Sequence, residues 1–201
     1  MRVGIAGYGV VGKTRHRSIE SNTSYQITAI SESNEEARKF IPADIKIYND
    51  YKSLIASADI DVIFISLPNL FAAEAACLSL QRGLHVFCEK PPARTHAELL
   101  EVEKQSLKFP ELKLMYGFNH RFHLSVEEAK LLIDSNSLGR LINMKGVYGK
   151  SQMISFNQTD WRTNREASGG GILLDQGIHM LDLMRYLLGE NFTQIFSFID
   201  N

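Results

Sequence analysis

Near the N-terminus, "VGIAGYGVVG" turns a short apolar run into three glycines at G-x-G-x-x-G spacing. The alternation of apolar run, turn and helical signal then repeats as far as residue 119. Residues 3–6 read as a strand, and residues 13–20 as a helix. Strands follow at 25–31 and 45–48, with a helix at 34–40 between them. Residues 61–66, "DVIFIS", are continuously apolar at their centre, as a strand buried on both faces must be. A helix over 70–82 leads to the buried strand 84–88. Thr95 with Glu98 makes a capping box for the next helix, and 112–116 is a further strand. Strand–helix alternation of this kind implies a parallel sheet with helices on both faces, an α/β fold of Rossmann type.

After residue 119 the pattern changes. Ser125 with Glu128 is expected to cap a helix running to about Asn136. Residues 142–148 alternate like a half-buried strand. The long polar stretch "GKSQMISFNQTDWRTNREASGGG" has no clear period and has the length of a lid, a binding loop or a disordered segment. A helix follows, and 193–199 reads as one more strand. The expected division is a dinucleotide-binding domain over 1–119 and a second, incomplete α+β domain over 120–201, so the chain is expected to be a piece of a longer polypeptide or to rely on a partner.

A chain of 201 residues, 44% hydrophobic, can bury roughly 70% of its unfolded surface. With a formal net charge of -1, no global field draws it to nucleic acid or membrane. Two cysteines, Cys77 and Cys88, are too few for a disulfide framework and match no metal spacing. A reducing, cytoplasmic setting fits, no metal is expected, and no signal peptide or membrane span is read.

In "GYGVVG", Gly7 permits the tight turn, Gly9 lets backbone approach a pyrophosphate, and Gly12 allows close helix–strand packing. The helix N-terminus then favours negative phosphates. Glu32, about 20 residues on, stands where an acid would bind a ribose 2′-hydroxyl; the alternative is an exposed loop acid. Ligands of open α/β sheets lie outside the carboxyl ends of strands. Two such ends are "SLPN", residues 66–69, and "CEKPP", residues 88–92. Lys90 there can polarise a carbonyl or pass a proton, or be a solvated surface charge. In "GGGILLDQGIHMLDLMRYLLG", Leu174, Ile178, Leu181 and Met184 are expected to line one apolar stripe of a helix. Asp175 and His179, at i and i+4, share a face one turn apart. They are either an ordinary helix edge with a satisfied histidine or a face that looks into a reaction cavity.

"GYGVVG", "SLPN", "GLHVFCEKP", "GFNHRF" and "SGGGILLDQGIHMLDL" stand in this order along the chain. In this the chain resembles the N-terminal part, somewhat over half, of a Gfo/Idh/MocA oxidoreductase. By that resemblance Lys90 corresponds to the catalytic lysine, with a cis Lys90–Pro91 bond, Asp175 to a substrate-binding acid and His179 to the catalytic histidine. The resemblance implies NAD as cofactor, met by Gly7, Tyr8, Gly9, Val10, Val11, Gly12, Glu32, Ser66, Pro68, Asn69, Glu89 and Lys90. NAD is favoured over NADP because Glu32 would repel a 2′-phosphate and "SESN" offers no arginine beside it. Arg121, Trp161, Arg162 and Asp175 are implied substrate contacts, and the segment 161–177 points to the inositol and sugar-nucleotide branches. Many relatives carry a histidine where this chain has Ala72. The implied function is NAD-dependent oxidation of a secondary alcohol of a sugar, inositol or sugar nucleotide, in a homo-oligomer when full length. The alternative is a truncated, non-catalytic dinucleotide-binding chain that lacks its remaining sheet.

Overall fold

A computed structural model describes residues 1–148 and 161–198. The chain divides into two compact units, Met1–Gly117 with Phe156–Gly171, and Phe118–Ser155 with Ile172–Asn201.

The first unit is built on six parallel strands: β1 (Arg2–Ala6), β2 (Gln26–Ser31), β3 (Lys46–Tyr48), β4 (Val62–Ile65), β5 (His85–Cys88) and β6 (Leu114–Tyr116). They lie in the order β3-β2-β1-β4-β5-β6, so the winding direction reverses between β1 and β4. Helices α1 (Val10–Glu20), α2 (Glu35–Arg38), α3 (Tyr51–Ser57), α4 (Asn69–Gln81) and α5 (His96–Lys108) connect successive strands. The two-residue period of the strands sends alternate side chains to different cores. Val3, Ile5, Ile30 and Val62 join Tyr8 and Ile19 on one face. Ala6, Ala29, Ile63 and Ile65 join Leu54, Leu80 and Val102 on the other. This double burial is why "DVIFIS" has no polar alternation. Along α4, Ala72, Ala73, Ala75 and Ala76 are all buried, small side chains that let the helix lie close to its neighbours.

Helix α1 begins at Val10, a turn earlier than the sequence reading placed it, so Gly12 lies inside it. Helix α3, which the reading passed over, is only seven residues long and is announced by Asp50, whose carboxylate accepts from Ser53 N at 2.8 Å. The capping box at α5 forms by half. Thr95 Oγ1 accepts from Glu98 N at 3.2 Å, but the Glu98 carboxylate turns to Arg94, accepting from its backbone N at 2.9 Å and from its guanidinium. A 3-10 turn, Trp161–Thr163, and the short helix α7 (Arg165–Ser168) complete the described part of this unit.

The second unit carries a 3-10 turn at Asn119–Phe122, helix α6 (Leu124–Asp134), a π-helical turn at Leu173–Gly177 and helix α8 (Ile178–Leu188). Several expectations fail here. Helix α6 starts at Leu124 with His123 in the capping position and no side-chain cap, so Ser125 with Glu128 caps nothing. Residues 142–148 form no strand, and neither do 193–198; Ile199 and the polar stretch over 149–160 lie outside the described residues. A strand exists only by pairing with another, and these segments find no partner among the described residues. Ile142 is 94% exposed and Phe196 87%. Nor does α8 bury its apolar stripe. Leu181 is exposed and Leu174, Ile178 and Met184 are half-buried, while the two buried residues of α8 are His179 and Asp182.

Candidate active site

The first site forms in the first unit where the strand order reverses, the place at which open α/β sheets take ligands. The chain leaves β1 at Gly7, whose φ is +89° and whose N–H donates to Ser31 O at 2.9 Å. A side chain there would put its Cβ 2.6 Å from the Ser66 carbonyl oxygen. A Cβ on Gly12 would run into the Gly7 carbonyl. A Cβ on Gly9, by contrast, meets nothing within 4 Å, so the space above this glycine is open.

Capping separates the five helices that connect the strands into two kinds. The N-termini of α2, α3 and α5 are capped by the side chains of Asn34, Asp50 and Thr95. The N-termini of α1 and α4, capped by Gly9 and Pro68, have no side-chain cap and no acidic residue in the first turn. These two helices follow β1 and β4, the central strands. Their first backbone N–H groups, with the positive end of each helix dipole, suit an anion such as a dinucleotide pyrophosphate. Val10, 85% exposed, and half-exposed Val11 open α1. The Ser66 hydroxyl at the end of β4 is buried and has no hydrogen-bond partner among the described residues.

Glu32 stands just past β2. Its carboxylate accepts from Tyr8 N at 2.8 Å and from Asn34 N at 2.8 Å, so the acid is held against the glycine turn. A carboxylate has about four lone-pair sites, and these bonds leave capacity for ribose hydroxyls. Arg38 corrects the sequence reading. Its Nε donates to Glu32 O at 2.6 Å and its guanidinium to Ser33 O at 3.4 Å. An arginine does stand beside the acid, folded back from the end of a one-turn helix, although nothing adjacent in "SESN" announces it. The Tyr8 side chain turns inward, its hydroxyl 2.9 Å from His16 Nδ1, and only its backbone serves Glu32.

At the end of β5, Glu89 is paired with Arg15 of α1, whose Nε donates to it at 2.6 Å and whose guanidinium lies 4.8 Å from the Phe87 ring. Gly117 gives the carboxylate room, since a Cβ there would lie 2.7 Å from Glu89 Oε2. Half-buried Lys90 follows, and the Lys90–Pro91 peptide is cis. Burial pushes the neighbouring Cys88 thiol well above its ordinary range, so it stays protonated. Asn69, expected at the cofactor, donates from Nδ2 to Ser168 O at 2.8 Å and is buried. Among the other expected substrate contacts, the Arg162 guanidinium lies 4.5 Å from the Trp161 ring centroid.

In the second unit the π-helical turn at Leu173–Gly177 carries Asp175, whose Oδ2 accepts from Gln176 Nε2 at 3.0 Å. Asp175 and His179 therefore do not belong to one uninterrupted α-helix; single π turns inside helices are frequent at functional sites. His179 is 5% exposed. Its ring stacks on His120, with centroids 4.1 Å apart and planes 11° from parallel, meets Phe118 edge-on, and lies 6.2 Å from Tyr148. Arg121 makes a two-pronged ion pair with Asp182, through Nε at 2.8 Å and through its terminal nitrogen, and its guanidinium lies over Tyr186 at 5.1 Å. The carboxylate holds the Arg121 charge up in its protonated form. Arg121, expected at the substrate, is thus engaged within the unit. His120 and Asp182 are the residues that sequence reasoning missed. Both lie inside motifs it used, and only packing sets them on His179 and Arg121.

Among the described residues no helix is long and apolar enough to cross a membrane. Residues 1–117 match the GFO_IDH_MocA model, described as an oxidoreductase family with an NAD-binding Rossmann fold, and residues 126–201 match the GFO/IDH/MocA C-terminal domain. Levoglucosan dehydrogenase from Pseudarthrobacter phenanthrenivorans is 31% identical over 94% of this chain and 52% of its own length. The crystal structure of myo-inositol 2-dehydrogenase from Lactobacillus plantarum superposes with a TM-score of 0.83 at 30% identity, over 94% of this chain and 56% of that one. Scyllo-inositol dehydrogenase from Lactobacillus casei, solved with bound NAD(H) and scyllo-inositol, gives a TM-score of 0.79 at 26% identity, again over 94% and 56%. The chain spans about half the length of the curated relatives it matches.

Proposed function

Because the chain belongs to the Gfo/Idh/MocA family of oxidoreductases, and residues 1–117 are its NAD-binding Rossmann domain, we propose that it serves an NAD-dependent dehydrogenase acting on a secondary alcohol of a sugar or inositol. The observation that carries this reading is the pair of uncapped helix N-termini at the reversal of strand order, with open space over Gly9 and Glu32 held against the glycine turn. These features fit a dinucleotide. Gly7, Gly9, Val10, Val11 and Gly12 would hold the pyrophosphate, Glu32 the ribose diol, and Ser66, with its spare hydroxyl, a polar group of the cofactor. Sugar and inositol dehydrogenases among the relatives support the substrate class.

A bound nicotinamide would supply the acceptor for the hydride of the alcohol carbon. His179 takes the hydroxyl proton, which an imidazole can do near neutral pH. Lys90 orients the hydroxyl and stabilises negative charge developing on its oxygen, and Asp175 accepts a bond from a neighbouring hydroxyl. NAD is preferred to NADP because the Glu32 carboxylate repels a 2′-phosphate, while Arg38 is turned to backbone carbonyls. Cys77 and Cys88, both free thiols, suit a reducing cytoplasm.

The test is a screen of sugars and inositols for nicotinamide reduction by the purified protein, with NAD and NADP in parallel, followed by variants on the best substrate. Lys90→Ala and His179→Asn should each lower kcat by about 100-fold while NAD still binds. Near-normal turnover in either variant removes its assigned role, and a kcat/KM favouring NADP overturns the part given to Glu32.

A further inference from the structure

His120 lies in the 3-10 turn that opens the second unit, and its ring covers that of His179 at 4.1 Å, 11° from parallel. The stack fixes the plane of the His179 ring, with Phe118 against it edge-on and Tyr148 nearly parallel. Stacked imidazoles tolerate one proton between them, because a cation sits well against a neutral aromatic face. They resist a second, because two like charges at this separation repel. Imidazoles coupled in this way titrate as a unit. The first proton of such a pair goes to the ring that keeps more water. His120 is half-buried, whereas His179 is 5% exposed, so desolvation opposes a charge on His179 more strongly than on His120.

Among the described residues, four other charged or titratable side chains and one tyrosine stand near the pair or on the same elements. Arg121 and Asp182 offset one another as an ion pair. Asp175 stands on the preceding π-helical turn. His123 meets His120 edge-on at 5.3 Å, and Tyr148 lies 5.5 Å from the same ring.

We infer that His120 is a positioning residue for the proton acceptor: stacked on His179, it takes the first proton of the pair, and so keeps the His179 ring neutral and fixed in orientation as the pH falls. This rests on the reading of His179 as proton acceptor given above. The test follows the ring C–H resonances of His179 by NMR across a pH series, in the whole chain and in His120→Phe, which keeps a flat ring but cannot titrate. In the variant His179 should take up its proton about one pH unit higher, and the acidic limb of kcat/KM should move up with it. His179 titrating at the same pH in both proteins overturns the inference, as does a variant that loses stability and kcat while neither the NMR titration nor the kinetic limb moves. A shifted NMR titration without a shifted kinetic limb leaves the coupling standing and removes His179 from the proton-acceptor role. If His120→Phe does not fold, His120→Gln carries the same comparison. In the unsubstituted protein, two single-site curves unaffected by one another refute the coupling directly.

Discussion

Replacing Gly7 and Gly9 separately by alanine divides the glycine turn into a part that builds the fold and a part that receives the ligand. At Gly7 an alanine must adopt φ +89°, a region that costs an L-residue about 1–3 kcal/mol. Its Cβ would also stand 2.6 Å from the Ser66 carbonyl oxygen and 3.2 Å from Leu67 Cδ2. The oxygen belongs to backbone at the end of β4, so the contact is relieved only by moving a strand end, an overpacking cost of about 1–3 kcal/mol. Against this, alanine narrows the unfolded ensemble, worth about 0.4–1 kcal/mol. The losses win, and Gly7→Ala should destabilise by roughly 3 kcal/mol, or about 6–12 °C in Tm for a chain of this size. At Gly9 the backbone is extended, with φ -71° and ψ -161°, which alanine adopts without strain, and the new methyl meets nothing. Loss of a glycine cap and gain in unfolded-state restriction nearly cancel, leaving stability within about 0.5 kcal/mol. The methyl instead would occupy the open space proposed for the pyrophosphate, and should raise the Kd for NAD by tenfold or more, about 1.4 kcal/mol. Urea and thermal melts without ligand, with NAD titrations by calorimetry, read both effects. A Gly9→Ala protein that binds NAD with unchanged Kd refutes the placement of the pyrophosphate. A Gly7→Ala protein that melts with the unsubstituted chain refutes the steric argument.

Breaking the Arg121–Asp182 pair with Arg121→Met should cost about 2 kcal/mol in urea unfolding. This is less than a fully buried pair loses, because Arg121 keeps some water while Asp182 does not. Arg121→Met with Asp182→Leu should cost less than Arg121→Met alone; strictly additive losses would show that the pair is not coupled. Hydrogen bonds from the Arg2 side chain and backbone lower the Asp61 carboxyl from 3.8 to about 2. Its folded value lies below its unfolded value, so the stabilisation is complete above about pH 4 and is lost as the pH falls towards 2. Urea midpoints of Asp61→Asn should accordingly depend less on pH across that window, and an unchanged slope would refute the assignment.

The Rossmann sheet and its glycine turn were legible because their signals are local. A strand buried on both faces must be apolar throughout, as in "DVIFIS", and a turn at positive φ must be glycine, as at Gly7. The position of Glu32 follows from the fixed geometry of one strand–turn–helix unit. The motif ends at Lys90, Asp175 and His179 were legible as residue types in order, though not in their surroundings. Helix α3 is short enough that its cap was its clearest sign. The rest depended on which segments meet. Whether 142–148 and 193–198 become strands is decided by a neighbour able to accept their backbone hydrogen bonds, and alternation cannot specify that neighbour. Arg38 beside Glu32, Glu89 on Arg15, Arg121 on Asp182 and His120 flat against His179 are pairings across turns or across long stretches of chain. Their side chains carry the same chemistry wherever they lie. Hydrophobic periodicity reports which way a residue faces along its own element, and only packing decides what it then touches.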